Sequence, residues 1–237
     1  MPRSHLLIDM CTQCDFLCEN SPCEVRNREQ LIKRMKRVIA WARLSRVPIV
    51  SAIDAHRPQE STNGRPRHCI DGTEGQLKLP FTLLPDRTLL EADNSFAVPL
   101  NLLKRYRQVL LRKRTEDLLA NPKADRLLSE CRVGEMVIFG VGIESGIKAL
   151  ALGLLTRQKR VAVVVDACGY WDWSAADLAL RQIEAKGARI IHVEDLRVLP
   201  KRTYRKPRWL VRRAALQAEG NGRAGARTAV VGPPGVA

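Results

Sequence analysis

The stretch that decides the fold spans residues 135–154 and reads EMVIFGVGIESGIKALALGL. It opens with an apolar run at 136–141, which is long enough for a buried strand and too short for a helix. It closes with apolar residues at helical spacing, and three glycines between the two halves let the backbone turn and admit a ligand (Gly140, Gly142 and Gly146). The pattern predicts a strand–turn–helix unit, and sites in open α/β sheets form where such a strand ends. A purely structural turn is the alternative.

Further apolar runs alternate with helical patterns along the chain. We predict strands at 5–8, 48–53, 108–111, 136–141, 161–165 and 188–193, and helices near 31–42, 123–131 and 175–186. Strands alternating with helices predict a mostly parallel sheet covered on both faces. Residues 55–106 lack such a pattern, and a loop of this length in a compact domain is usually functional or disordered.

The positive charge is concentrated at the carboxyl end of the chain. Residues 201–237 hold nine Lys or Arg against one acid, Glu219, so +8 of the net +15 lies there. We therefore predict a domain over residues 1–198 and a basic, flexible tail over residues 199–237. The moderately basic body argues against a nucleic-acid-binding core, which leaves nucleic-acid contact through the tail as an alternative that only composition supports.

Composition also indicates the compartment. No run of eighteen apolar residues exists, so we expect no membrane span, and Asp9 brings an acidic charge too early for a secretory signal. We predict a cytoplasmic protein whose seven cysteines are mostly reduced thiols. Four of them lie close together, and a zinc or iron–sulfur site there is the alternative (Cys11, Cys14, Cys18 and Cys23).

Polar side chains follow several of the predicted strands. Asp9 and Lys113 follow two of them, and together they can form a charged pair for acid–base work beside the glycine-rich turn. Asp54 and His56, one residue apart, and His68 further on offer a carboxylate and two imidazoles, which suit a divalent metal with open positions. The alternative is a surface Asp with two solvated loop histidines.

Five segments carry a family resemblance. They are LLIDMCTQCDF at 6–16, RHCIDGTEGQL at 67–77, QVLLRKRTEDLLANP at 108–122, GVGIESGI at 140–147 and VVVDACGYWDW at 163–173. In this order they resemble the isochorismatase-like cysteine hydrolases, a group that includes the nicotinamidases. The resemblance implies a three-layer α/β/α fold around a six-stranded, mostly parallel, Rossmann-type sheet, a small-molecule substrate and a homo-oligomer.

The resemblance also implies roles for individual residues. Asp9 would be the general acid/base and Lys113 its charge partner. Gly142 and Ile143 would form the oxyanion and substrate turn. The metal, zinc, would be held as in nicotinamidases by an Asp-x-His pair and a following His (Asp54, His56 and His68).

The chain departs from the family at the nucleophile. The family pattern G-V-x-T-D-x-C-V places its cysteine at Gly146, which has no side chain and excludes thiol-based amide hydrolysis from that position. Isochorismatases proper resemble this arrangement, with Gly at the thiol position. They hydrolyse a vinyl ether by protonating the substrate and letting water add. We therefore expect a hydrolase that needs no cysteine and in which Asp9 and Lys113 act on a small anionic metabolite. A catalytically silent relative that binds a ligand or partner is the alternative.

Overall fold

The structure, a computed structural model, describes residues 3–60, 64–93, 95 and 97–199. Its strands all pair in parallel and form one sheet in the order β3-β4-β2-β1-β5-β6-β7. The strands are β1 Arg3–Met10, β2 Ile49–Asp54, β3 Arg87–Leu90, β4 Gln108–Lys113, β5 Val133–Val141, β6 Val161–Gly169 and β7 Arg189–Ile191.

Helices connect the strands. They are α1 Cys14–Leu17, α2 Arg28–Leu44, α3 Leu102–Arg105, α4 Pro122–Glu130, α5 Lys148–Thr156 and α6 Trp173–Ala185. From β1 the chain adds strands on one side of the sheet and from β5 on the other, so right-handed crossovers place the two sets of helices on opposite faces. This confirms the predicted layered α/β fold, and it makes the β1–β5 junction the switch point where ligands bind in such sheets.

The sheet has seven strands rather than the predicted six. The additional strand is β3, which lies inside the segment 55–106 that showed no pattern, and pairs with β4 at the edge of the sheet. Its four residues alternate between exposed and half-buried positions and include Arg87, so they lack the apolar run that marks the central strands. A short edge strand of this kind gives little periodic signal.

The central strands pack closely because their residues are apolar or small. β5 is buried along almost its whole length, in agreement with the run that predicted it. Gly140 has a φ of +125°, and a side chain there would collide with the backbone of Met10 in the neighbouring β1. A glycine is therefore required where these two strands approach each other.

The predicted tail at 199–237 lies, except for Leu199, outside the described residues, so the domain boundary and the role of the tail stay predictions. Cytoplasmic location and homo-oligomer formation likewise stay predictions. Within the described part of the chain, no helix combines the length and apolar character needed to cross a bilayer.

Candidate functional site

A polar cavity of about 200 Å³ opens at the carboxyl ends of the central strands. The strand ends, the turn after β5 and the loops after β2, β4 and β6 all contribute to its wall. The lining residues are Cys11, Phe16, Asp54, His56, Arg65, His68, Lys113, Arg114, Thr115, Glu116, Val141, Gly142, Ser145, Gly146 and Trp171. Six of the eight residues predicted for the site therefore share one cavity with Phe16, which belongs to the first resembling segment.

The three predicted metal ligands converge in this cavity. One ligand atom from each of Asp54, His56 and His68 lies within 4.8 Å of the other two, and all three residues are buried. Asp54 Oδ1 lies 3.2 Å from Nε2 of His56 without the alignment of a hydrogen bond. Among the described residues, neither Asp54 Oδ1 nor His56 Nδ1 has a hydrogen-bond partner. Buried polar atoms without partners are costly, and a divalent cation would satisfy such a set.

The ring of His68 is oriented as a metal ligand would be. Its Nδ1 lies 2.8 Å from the carbonyl oxygen of Pro66. A carbonyl oxygen only accepts, so Nδ1 donates here and Nε2 keeps the lone pair that binds a metal. Burial lowers the pKa of His68, which favours the same neutral form.

Two side chains from the segment after β1 fix the backbone of these ligands. Gln13 Oε1 accepts a hydrogen bond from the Asp54 N–H at 2.7 Å, and its Nε2 donates to the Asp54 carbonyl at 2.8 Å. Asp15 Oδ2 accepts from the N–H of Cys69 at 2.6 Å, directly after His68. Gln13 and Asp15, which both lie in the first resembling segment, thus position two of the three ligands, as outer-shell partners do in metal sites.

Lys113 pairs with Asp54 rather than with Asp9. Asp54 and Lys113 end β2 and β4 and lie opposite each other in register, and their charged atoms are 3.0 Å apart. Burial would raise the pKa of Asp54, but Lys113 and His56 outweigh it and hold that pKa at about 2. Burial would lower the pKa of Lys113, but Cys11 and Asp54 raise it above its ordinary value. Both side chains are therefore charged at neutral pH.

The predicted Asp9–Lys113 pair is wrong, and strand register explains why. Asp9 lies opposite Ser51 in β2, three residues before Asp54, a rise of roughly 10 Å along the strand. Asp9 is fully buried, is not among the residues lining the cavity, and pairs with Lys78 at 2.9 Å. The sequence predicted that the strand ends at Ile8, directly before Asp9, whereas β1 continues to Met10 and leaves Cys11 at the cavity.

The turn after β5 has the predicted place but only part of the predicted lining. Gly142 and Gly146 line the cavity, whereas the side chain of Ile143 is buried in the core. A side chain on Gly146 would meet the backbone oxygen of Glu116 and the Met10 methyl group, each at 3.2 Å. Position 146 therefore has no side chain and leaves little room for one. The oxyanion role of Gly142 and Ile143 stays a prediction.

Cys11 was not predicted as a residue of the pocket. Its thiol neighbours Lys113, and burial raises its pKa to about 11, so it is protonated at neutral pH. Its flanking sequence gave no sign of this, because the end of β1 was assigned two residues too early. All seven cysteines are free thiols, and the described residues contain no metal-binding set drawn from Cys11, Cys14, Cys18 and Cys23.

Trp171 and Arg65 were also missed as site residues. The guanidinium carbon of Arg65 lies 3.8 Å from the centre of the Trp171 ring. The ring itself is held by a hydrogen bond from Nε1 to the carbonyl of Cys23 at 2.7 Å and by contact with Gly142. A single Trp or Arg in a loop carries no positional signal, so only the fold brings the two together.

Solved structures with the same fold include known hydrolases. One is a pyrazinamidase of Pyrococcus horikoshii in complex with zinc, 19% identical, with a TM-score of 0.64 over 80% of this chain and 99% of that one. Another is a pyrazinamidase/nicotinamidase from Streptococcus mutans, 20% identical, with a TM-score of 0.64 over 79% and 100%. A third is an N-carbamoylsarcosine amidase from Thermoplasma acidophilum, 18% identical, with a TM-score of 0.60 over 81% and 97%.

Comparison with curated proteins gave no significant match. The family model described as the isochorismatase domain matches residues 4–195, which include all the predicted catalytic, turn and metal residues. The match covers most of the chain and agrees with the fold, the five sequence segments and the cavity at the switch point. The chain belongs to the isochorismatase family, whose members are hydrolases.

Proposed function

We propose that the chain hydrolyses a small molecule in the cavity at the carboxyl ends of β1, β2, β4 and β5, and that it does so without a cysteine nucleophile. The observation that carries the proposal is the convergence of an unsatisfied Asp–His–His set and a buried ammonium in one polar cavity. Perturbed charged groups that meet in a cleft are typical of catalytic sites.

The proposed cofactor is a divalent metal, zinc, held by Asp54, His56 and His68. The donor set fits it, because three protein ligands leave a position open for water or substrate. When bound, zinc supplies an acidified water and polarises a substrate oxygen. Gln13 and Asp15 keep the ligands in place through their backbones.

Water, rather than a thiol, is the proposed attacking group. Gly146 provides no side chain, and the Cys11 thiol is held in its protonated, weakly nucleophilic form. Lys113 supplies a fixed positive charge at the cavity, where it would stabilise negative charge that develops on a substrate oxygen. The acid/base role of Asp9 stays a prediction. Asp9 does not line the cavity, whereas Asp54 and Lys113 do, and this favours a reaction at the Asp54–Lys113 pair.

The test is an assay of the full-length protein against small amides, esters and enol ethers, each with and without a carboxylate. We expect turnover of at least one class, and we expect activity in Cys11→Ser within about threefold of the wild-type value. Cys14→Ser is the matched control, because Cys14 does not line the cavity. Loss of turnover in Cys11→Ser, or a covalent substrate adduct on Cys11, would contradict the thiol-free mechanism.

A catalytically silent relative is the second candidate. Two observations favour it: the family nucleophile position is bare, and Asp9 is enclosed by protein donors away from the cavity. Such a protein would bind ligands in the cavity and turn over none of the substrates in the assay above. Ligand binding without turnover by metal-loaded protein would establish this reading.

A further inference from the structure

The ring of His56 lies between two carboxylates, and each of its nitrogens faces one of them. Nε2 is 3.2 Å from Asp54 Oδ1, and Nδ1 is 3.8 Å from Glu60 Oε2. The His56 side chain is buried, and among the described residues its Nδ1 has no hydrogen-bond partner. A buried ring nitrogen without a partner is costly, so one contact of this histidine is left to be completed.

The two nitrogens of His56 have different tasks in the proposed zinc site. Because Nε2 faces Asp54, it is the nitrogen that can join a cation held by the three converging ligands. A neutral imidazole carries one proton, so a lone pair used at Nε2 places the proton on Nδ1. The carboxylate that this N–H faces is that of Glu60.

Glu60 is held beside His56 through both of its oxygens. Oε2 accepts a hydrogen bond from the Arg57 N–H at 2.9 Å, and the Glu60 N–H donates to the Arg57 carbonyl at 3.0 Å. Oε1 lies 3.5 Å from Arg114 Nη1, which also donates to the Ala55 carbonyl at 3.2 Å. The carboxylate is therefore fixed against the segment of chain that carries the histidine.

Glu60 itself is not one of the converging ligands. It does not line the cavity, and it is not in the set whose ligand atoms lie within 4.8 Å of one another. Its side chain is 30% exposed, whereas the three ligands are buried. Glu60 thus contacts the opposite edge of the His56 ring from Asp54, which is the place of an outer-shell partner.

We propose that Glu60 is a positioning residue of the zinc site, which accepts the Nδ1–H of His56, fixes the ring and its tautomer, and so strengthens zinc binding. This inference rests on the zinc site of the proposed function and not on turnover. Carboxylates that support metal-binding histidines in this way are worth about 10- to 100-fold in metal affinity.

The test measures the zinc affinity of metal-free, full-length protein by competition with a chromophoric chelator of known affinity. Glu60→Gln keeps the size of the side chain and removes its charge, and it should weaken zinc binding about 10- to 100-fold. Glu91→Gln is the matched control, because Glu91 is an exposed acid that pairs with Arg112 and does not line the cavity. It makes the same change in net charge and should alter the affinity by less than about threefold.

Two further measurements separate this role from a structural one and from direct ligation. The thermal midpoint of the metal-free protein should differ by less than about 2 °C between wild type and Glu60→Gln, since the ion pairs of Glu60 with Arg57 and Arg114 are partly exposed. The visible absorption spectrum of bound cobalt(II) should be the same in both proteins, because the ligands themselves are unchanged.

The proposal is overturned if wild type binds no zinc, if Glu60→Gln keeps the wild-type affinity, or if Glu91→Gln weakens binding equally. A changed cobalt spectrum would make Glu60 a direct ligand, and a large fall in the thermal midpoint would assign it to the fold, so either result also overturns the proposal. A protein that binds zinc as expected and hydrolyses nothing in the panel would retain the role of Glu60 while the proposed hydrolase function failed.

Discussion

Two buried carboxylate–lysine pairs lie near the ends of the central strands, and they differ in how completely they are satisfied. Asp9 accepts from Thr12 at 2.8 Å on one oxygen, and from Ser51 and Lys78, each at 2.9 Å, on the other. Lys78 also donates to the Thr12 hydroxyl at 2.7 Å. All members are buried, so this network is closed within the protein.

The second pair, Asp54–Lys113, is open on one side. Asp54 Oδ2 holds Lys113, while Oδ1 has no hydrogen-bond partner among the described residues and faces two histidines. A carboxylate with protein partners on both oxygens is satisfied within the fold, whereas one with a bare, buried oxygen still needs a partner and can take a ligand. The comparison indicates that the Asp9 pair stabilises the fold and that the Asp54 pair belongs to the functional site.

The largest expected effect is on stability, from breaking the closed pair. Lys78→Met leaves the Asp9 charge buried without its counterion, which should lower the free energy of unfolding by about 3–5 kcal/mol. Urea denaturation measures it. Adding Asp9→Asn should recover part of the loss, because the uncompensated charge is then removed. A loss below about 1 kcal/mol for Lys78→Met would show that the closed pair is not structural.

The next effect separates the two lysines by function. Lys113→Met should lower kcat/KM about 10²- to 10³-fold for any substrate found, since it removes a preorganised charge from the cavity. Its effect on unfolding should be smaller than that of Lys78→Met, because Asp54 faces a cavity that water or metal can enter. Lys33→Met, on the exposed face of α2, is the control. If Lys78→Met and Lys113→Met lower the free energy of unfolding equally, the two pairs do not differ in their structural role.

The smallest of these effects follows metal removal. If zinc is present at about a hundred times its dissociation constant, chelation should destabilise the protein by about 2.7 kcal/mol, and added zinc should restore it. Thermal unfolding with and without chelator measures this. His68→Ala should show no chelator-dependent shift, and a shift as large as that of wild type would place the metal elsewhere.

The sequence predicted the layered fold because apolar runs and helical spacing are local patterns, whereas the family resemblance indicated that His68 joins Asp54 and His56. Apolar runs gave the central strands, and Asp54 and His56 are fixed on one strand end by their own spacing. The predicted Asp9–Lys113 pair was wrong because it depended on the register between strands. The apolar run of one strand does not show which residues of the neighbouring strand lie opposite it. Lys78, Arg65 and Trp171 lie in loops without periodicity, so only tertiary contacts reveal what each one touches.

The most direct test of the central claim is the metal content of two isosteric variants, Asp9→Asn and Asp54→Asn, purified with wild type in the absence of chelator. Elemental analysis should find about one zinc per chain in wild type and in folded Asp9→Asn, and little in Asp54→Asn. Metal-free wild-type protein, or zinc that is kept by Asp54→Asn and lost from Asp9→Asn, would contradict the assignment of the open pair to the functional site.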